Sequence, residues 1–110
     1  MNDIKLMNKA ADNIRILAAS MVEKAKSGHP GGAMGGADFV NVLFSEFLVY
    51  DPKNPAWEGR DRYFQDPGHM SPMLYSVLAL AGKFTIDELK EFRQWGSVTP
   101  GHPEVNVMRG

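Results

Sequence analysis

Ser27-Gly28-His29-Pro30-Gly31-Gly32-Ala33-Met34-Gly35-Gly36 packs five glycines and one proline into ten residues, and its reading decides how the rest of the chain is organised. Glycine is costly inside a helix and proline removes a backbone donor, so the stretch predicts an irregular connection. On its N-terminal side, Asp3 to Lys26 reads as one long helix. Ile4, Met7, Ala11, Ile14, Leu17, Ala18, Met21, Val22 and Ala25 recur at three- and four-residue intervals, which is a single helical face. Asn2 or Asp3 supplies its cap, Lys24 and Lys26 complement the dipole, and Gly28 terminates it. On the C-terminal side come Phe39, Val40, Val42, Leu43, Phe44, Phe47 and Leu48. Residues 37–48 are apolar nearly all round, which predicts a helix buried on most sides.

Further along, Asp51-Pro52 and Asn54-Pro55 mark a loop. Asp61 to Gln65 (DRYFQ) is short and partly aromatic and predicts a strand. Ser71-Pro72 reads as an N-cap with proline in the first turn, opening a helix from Pro72 to Ala81 that Gly82 stops. Thr85 and Glu88 form a capping-box pattern before a last helix carrying Leu89, Phe92 and Trp95, stopped by Gly96. The tail from Ser97 to Gly110 reads as loop and contains Pro100-Gly101-His102-Pro103.

The chain has 110 residues, which allows one core at most. Twelve basic against thirteen acidic side chains leave a formal charge of −1, so the electrostatic footprint for nucleic-acid binding is absent. No run approaches ~18 apolar residues, which excludes a membrane-spanning helix, and the N-terminus lacks the apolar core of a signal peptide. Cysteine is absent, which excludes a disulfide framework, a thiolate nucleophile and a cysteine-ligated zinc.

All three histidines directly follow a glycine: Gly28-His29, Gly68-His69 and Gly101-His102. With 11 glycines in the chain, chance does this on the order of once in a thousand, even above the average glycine usage of about 7%. Three readings are open. Gly-His-Pro serves as turn and helix-stop chemistry alone. A metal site is the second, although no His-x3-His pair or cysteine supports it. The third is a shared small-molecule pocket, in which neutral imidazoles donate hydrogen bonds to hydroxyls or phosphates or move protons. The repeated pairing favours the third. The Gly31–Gly36 run is neither a Walker A loop nor a G-x-G-x-x-G fingerprint, and close helix packing explains it as well as anion binding does. Asp12, Asp38, Asp61 and Glu104 are candidates to orient a histidine; Glu23, Glu88 and Glu91 read as solvated helix faces. No serine has the flanks of a nucleophile elbow.

Four segments in register resemble the N-terminal end of the transketolase family. They are Lys26-Ser-Gly-His-Pro-Gly-Gly-Ala-Met-Gly-Gly-Ala-Asp38, Asn54-Pro-x-Trp-x-x-Arg-Asp-Arg62, Gly68-His-x-Ser71 with Leu74-Tyr75-Ser76, and Thr99-Pro-Gly-His-Pro-Glu104. The resemblance runs from about residue 12 to the C-terminus. It implies an α/β fold, with residues 1–110 as an incomplete, mostly helical N-terminal part of a parallel-sheet domain that binds the diphosphate side of thiamine diphosphate. Residues 61–65 would be the first strand of that sheet.

It further implies transfer of a two-carbon ketol unit between ketose and aldose phosphates in the pentose phosphate pathway, with thiamine diphosphate and magnesium, in a cytoplasmic homodimer. His29 would contact the sugar and assist proton transfer. Gly68 and His69 would lie by the cofactor diphosphate, and His102 would bind the donor hydroxyl beside the cofactor and help stabilise the covalent intermediate. The family's Gly-rich Thr-Gly-Pro-Leu-Gly-Gln-Gly segment, its Gly-Asp-Gly metal motif and its activating glutamate have no counterpart here. No metal ligand is therefore expected on this chain, and the isolated chain is expected to be inactive. The alternative is a non-catalytic fragment or an interaction module that docks on a larger partner.

Overall fold

A computed structural model describes residues 2–105. Among them the regular structure is helical: α1 (Ile4–Ala25), α2 (Pro30–Gly35), α3 (Ala37–Val42), α4 (Ser71–Leu80) and α5 (Ile86–Lys90). A π-helical turn, Leu43–Phe47, continues α3, and a 3-10 turn, Gly68–Met70, leads into α4.

α1 follows its periodicity. Asp3 accepts a hydrogen bond from the Lys5 backbone at 2.8 Å, which satisfies one of the free donors of the first turn. Ala11, Ile14, Ala18 and Met21 are buried, whereas Ile4 at the frayed end of the same stripe is exposed. The helix ends differently from expectation. The residue that caps it in a left-handed conformation is Lys26 (φ 53°), two positions before Gly28, and its N–H bonds Glu23 O at 3.2 Å. The Lys26 ammonium also pairs with the Glu23 carboxylate on the exposed face of the same turn.

The main correction concerns residues 27–36, expected to be irregular. Residues 30–35 form α2, with Pro30 in the first turn, where its missing N–H costs nothing. The glycines act in two i,i+4 pairs, which share a face on a helix. A methyl group on Gly32 would lie 2.8 Å from Met70 Cγ, and one on Gly36 would lie 2.6 Å from Met73 Sδ. Gly31 and Gly35 face open space. Ala33 and Ala37 are fully buried, and α1 packs against α2, α3 and α4. Small residues let the backbones approach closely, and that burial outweighs weak helix propensity.

The segment 37–48 is helical but not buried on most sides. Val40 and Phe44 are buried, whereas Phe39 and Phe47 are 67% and 68% exposed. The strand at 61–65 is absent, and among the described residues no sheet forms. Asp61 makes one backbone bond, donating to Val49 O at 2.7 Å, and its carboxylate accepts from the Val49 N–H at 2.8 Å. A strand needs a continuous ladder with a neighbour, and residues 62–65 have none beside them.

α4 stops as expected. Gly82 is left-handed (φ 87°), with Lys83 N–H bonding Leu78 O at 2.8 Å and Gly82 N–H bonding Ala79 O at 3.0 Å, the two bonds of a Schellman motif. The Thr85–Glu88 capping box is present in both directions. The last helix is shorter than expected, ending at Lys90, so Trp95 lies beyond it and is fully exposed. Ile14, Ala18, Met21, Val40, Met73, Val77, Leu78, Leu89 and Phe92 form one core beneath the Gly-His turns.

Candidate functional site

Each Gly-His pair sits at a junction between elements. His29 is the N-cap residue of α2, His69 lies in the 3-10 turn before α4, and His102 follows the last turn after α5. The His29 and His69 rings are 4.7 Å apart, centroid to centroid, tilted by 55°. His102 lies over the backbone of Gly68: a methyl group there would be 3.2 Å from its Nδ1. The three histidines, 40 and 33 residues apart in sequence, therefore stand together. His29 and His102 are exposed and His69 is half-buried.

The glycine in each pair has a local cause. Gly28 has φ 121°, which a side chain rarely adopts, and the Phe92 ring comes within 3.2 Å of where its Cβ would be. Gly68 admits the His102 ring, and Gly101 admits the Arg93 side chain at 3.4 Å. At Gly28 and Gly68 a Cβ would crowd the neighbouring ring, whereas one at Gly101 would make ordinary contact with Arg93.

Three hydroxyl groups hold the His102 turn. Ser71 Oγ donates to Gly101 O at 2.6 Å, Tyr75 OH to Pro100 O at 2.6 Å, and Thr99 Oγ1 to Glu88 O at 3.1 Å. Ser71 was expected to cap α4; its hydroxyl instead ties the last turn to that helix. Ser71 and Tyr75 are i,i+4 neighbours on one face of α4. Burial, with the Glu104 carboxylate adding to it, pushes the Tyr75 phenol well above its ordinary range, so it remains a protonated donor. These three residues were not singled out individually for site roles, although each lies in one of the four family-like segments.

None of the candidate orienting carboxylates serves a histidine. Asp12 and Asp38 both bind the Arg15 guanidinium, at 2.7 and 2.9 Å, and their hydrogen bonds raise the arginine's already high pKa. Asp61 is taken up by the Val49 backbone. Glu104 lies near the Tyr75 phenol. Among the described residues no three carboxylate or imidazole groups converge as a metal would require, so these residues do not by themselves fit a divalent cation.

Beside His102 lies a cleft of about 460 Å³, lined by Phe44, Leu48, Tyr63, Gln65, Gly68 and His102 among others, with His29 and His69 off its wall. Its volume is in the range of small-ligand pockets. Gln65 Nε2 is buried there without a hydrogen-bond partner among the described residues. One imidazole and a buried amide on the wall of a mostly apolar cleft suit an organic ligand with oxygen acceptors. The clustered imidazoles and the Gly68 backbone next to them supply neutral N–H donors of the kind a diphosphate-bearing cofactor takes.

The fold and site thus define a helical segment that gathers three imidazoles, one of them, His102, at the edge of a ligand-sized cleft. Comparison with known proteins gives the family. Residues 6–110 match the model for the transketolase thiamine diphosphate-binding domain. The transketolase of Buchnera aphidicola is 52% identical over 106 residues, covering 96% of this chain and 16% of that protein. A transketolase structure from Campylobacter jejuni is 45% identical with a TM-score of 0.89, over 98% of this chain and 17% of that one. A Pichia stipitis transketolase solved with sedoheptulose-7-phosphate is 44% identical, TM-score 0.85, over 89% of this chain and 14% of that one. The chain belongs to the transketolase thiamine diphosphate-binding domain family and spans about one sixth of the length of the relatives it matches. No helix among the described residues is long and apolar enough to cross a membrane.

Proposed function

We propose that this chain is the N-terminal part of a transketolase, and that its three histidines serve transfer of a two-carbon ketol unit between ketose and aldose phosphates. The observation that carries this reading is the gathering of His29, His69 and His102 around Gly68, in a chain similar to a transketolase solved with a sugar phosphate. In the complete protein the piece would cover one face of a parallel sheet, in a homodimer acting in the cytoplasm within the pentose phosphate pathway.

Thiamine diphosphate, when bound, supplies the nucleophilic carbon and the electron sink for breaking a carbon–carbon bond. His69, with the Gly68 backbone, would hold the diphosphate side through N–H donors. His102, fixed by Ser71 and Tyr75 through the turn before it, would orient the donor hydroxyl. His29 is exposed and would contact the sugar and carry a proton to or from it. An imidazole suits that task because its unperturbed pKa of about 6.5 lies near working pH. Magnesium in the complete enzyme would take its ligands from elsewhere, and the isolated chain would be inactive.

Ketol transfer by the complete protein tests the reading. His29→Ala and His102→Ala should each lower turnover on the order of 10²- to 10⁴-fold, the usual contribution of a positioned acid or base. Parental rates in both variants would remove the assigned roles.

A further inference from the structure

The three Gly-His pairs form a chain of contacts that a fourth side chain closes. His29 faces His69, Gly68 carries the His102 ring, and Gly101 lies under Arg93. Arg93 then reaches back to the start: its Nη1 would be 3.6 Å from a methyl group on Gly28, while its Cζ and Nε would be 3.4 Å from one on Gly101. The guanidinium thus touches the residues immediately before both His29 and His102, which are 73 positions apart in sequence.

We propose that Arg93 is a positioning residue, whose guanidinium sets the separation between the His29 turn and the His102 turn. The inference rests on the reading that these histidines form one ligand site.

The backbone points the same way as the side chain. Arg93 adopts φ 60°, a left-handed conformation unusual for a residue other than glycine, asparagine or aspartate. Its surroundings hold it there. Phe92, 1% exposed, anchors one side and presses its ring against Gly28. On the other side Arg93 N–H donates to Thr99 O at 3.0 Å, and buried Thr99 is tied to α5 through Glu88 O. Strained conformations persist when neighbouring contacts over-determine them, and they gather at functional sites. Among the described residues the guanidinium has no hydrogen bond or ion pair, so no carboxylate accounts for its placement. A planar group suits packing against two peptide backbones better than a mobile ammonium does.

Glycine at position 93 separates the two contributions, because it accepts φ 60° without strain while deleting the guanidinium. Arg93→Gly in the full chain should keep or raise Tm and shift the imidazole ¹H–¹⁵N resonances of both His29 and His102, with backbone amides of α1 and α4 unmoved. Gly101→Val approaches the contact from the opposite side. A Cβ there meets Arg93 in ordinary contact at 3.4 Å, and the branches beyond it would press on the guanidinium, so the His29 resonance should move although His29 is distant in sequence. In the complete enzyme, Arg93→Gly should lower kcat for ketol transfer about ten- to hundredfold with little change in KM, since small misplacements of reacting groups cost rate. Unmoved His29 and His102 resonances in Arg93→Gly would overturn the proposal, whatever the activity. If the ligand reading were wrong instead, the resonances would still move but kcat would not be at issue, because the parent would show no ketol transfer.

Discussion

Residues 27–36 hold five glycines and a proline in ten positions, and residues 48–67 hold one glycine, three prolines and seven charged side chains in twenty; both read as connections, yet the first is largely helical and the second has no regular element. Partners make the difference. The first lies between α1 and the Met70–Met73 side chains, which enter the spaces left by Gly32 and Gly36. The second is anchored mainly where Phe44 meets Tyr50 and Tyr63, at ring distances of 5.6 and 5.2 Å, and where Asp61 pairs with Val49. Glycine content alone favours the opposite outcome; what each segment packs against decides it.

Phe44→Ala attacks the anchor of the second segment and should have the largest effect. Truncating a buried aromatic costs about 3–5 kcal/mol, and amide exchange in residues 49–63 should accelerate more than in α2. Equal acceleration in both would mean that the two segments are stabilised as one unit. Gly36→Val attacks the first segment. Its side chain would begin 2.6 Å from buried Met73 Sδ, and overpacking of this kind costs about 1–3 kcal/mol. A Tm equal to or above the parent's would show that α2 does not depend on close approach to α4.

Alkaline titration compares the segments without mutation. Burial raises the phenol pKa of Tyr50 and Tyr63 in the second segment, and of Tyr75 beneath the site. Because the folded pKa values lie above the unfolded value of about 10, this contribution to stability is fully present below about pH 10. It is lost as pH rises further, since the unfolded chain releases phenolic protons more readily. Tyr50→Phe with Tyr63→Phe should flatten that decline, and an unchanged slope would assign it to Tyr75 or elsewhere. The smallest effect has the opposite sign. Gly35→Ala, in open space on α2, should stabilise by about 0.5–1 kcal/mol through reduced unfolded-state entropy. Destabilisation by this exposed methyl would show that the helical form of residues 30–35 is not the native one.

Much of the site was legible from the Gly-His repeats, which single out His29, His69 and His102 before any contact is known. Arg93 was not legible, because nothing in the sequence around it signals a left-handed backbone. Ser71, Tyr75 and Thr99 gave no separate signal either, since hydroxyl groups that bond distant carbonyls leave no local pattern. Of the candidate orienting carboxylates, Asp12 pairs with Arg15 three residues on, a helical spacing the sequence does display, whereas Asp38 meets the same arginine from α3, which no local pattern signals.

By itself the sequence determined α1, the Schellman stop at Gly82 and the Thr85 capping box, because periodicity and caps act within a few residues along the chain. It also determined which histidines belong together. Tertiary structure alone decided that Gly30s residues (Gly31, Gly32 and Gly35) become helical, that Asp61 to Gln65 pairs with no neighbouring strand, and that Arg93 joins the first and last histidine turns. Those outcomes depend on surfaces supplied from dozens of residues away, and spacing along a chain does not encode which surface arrives.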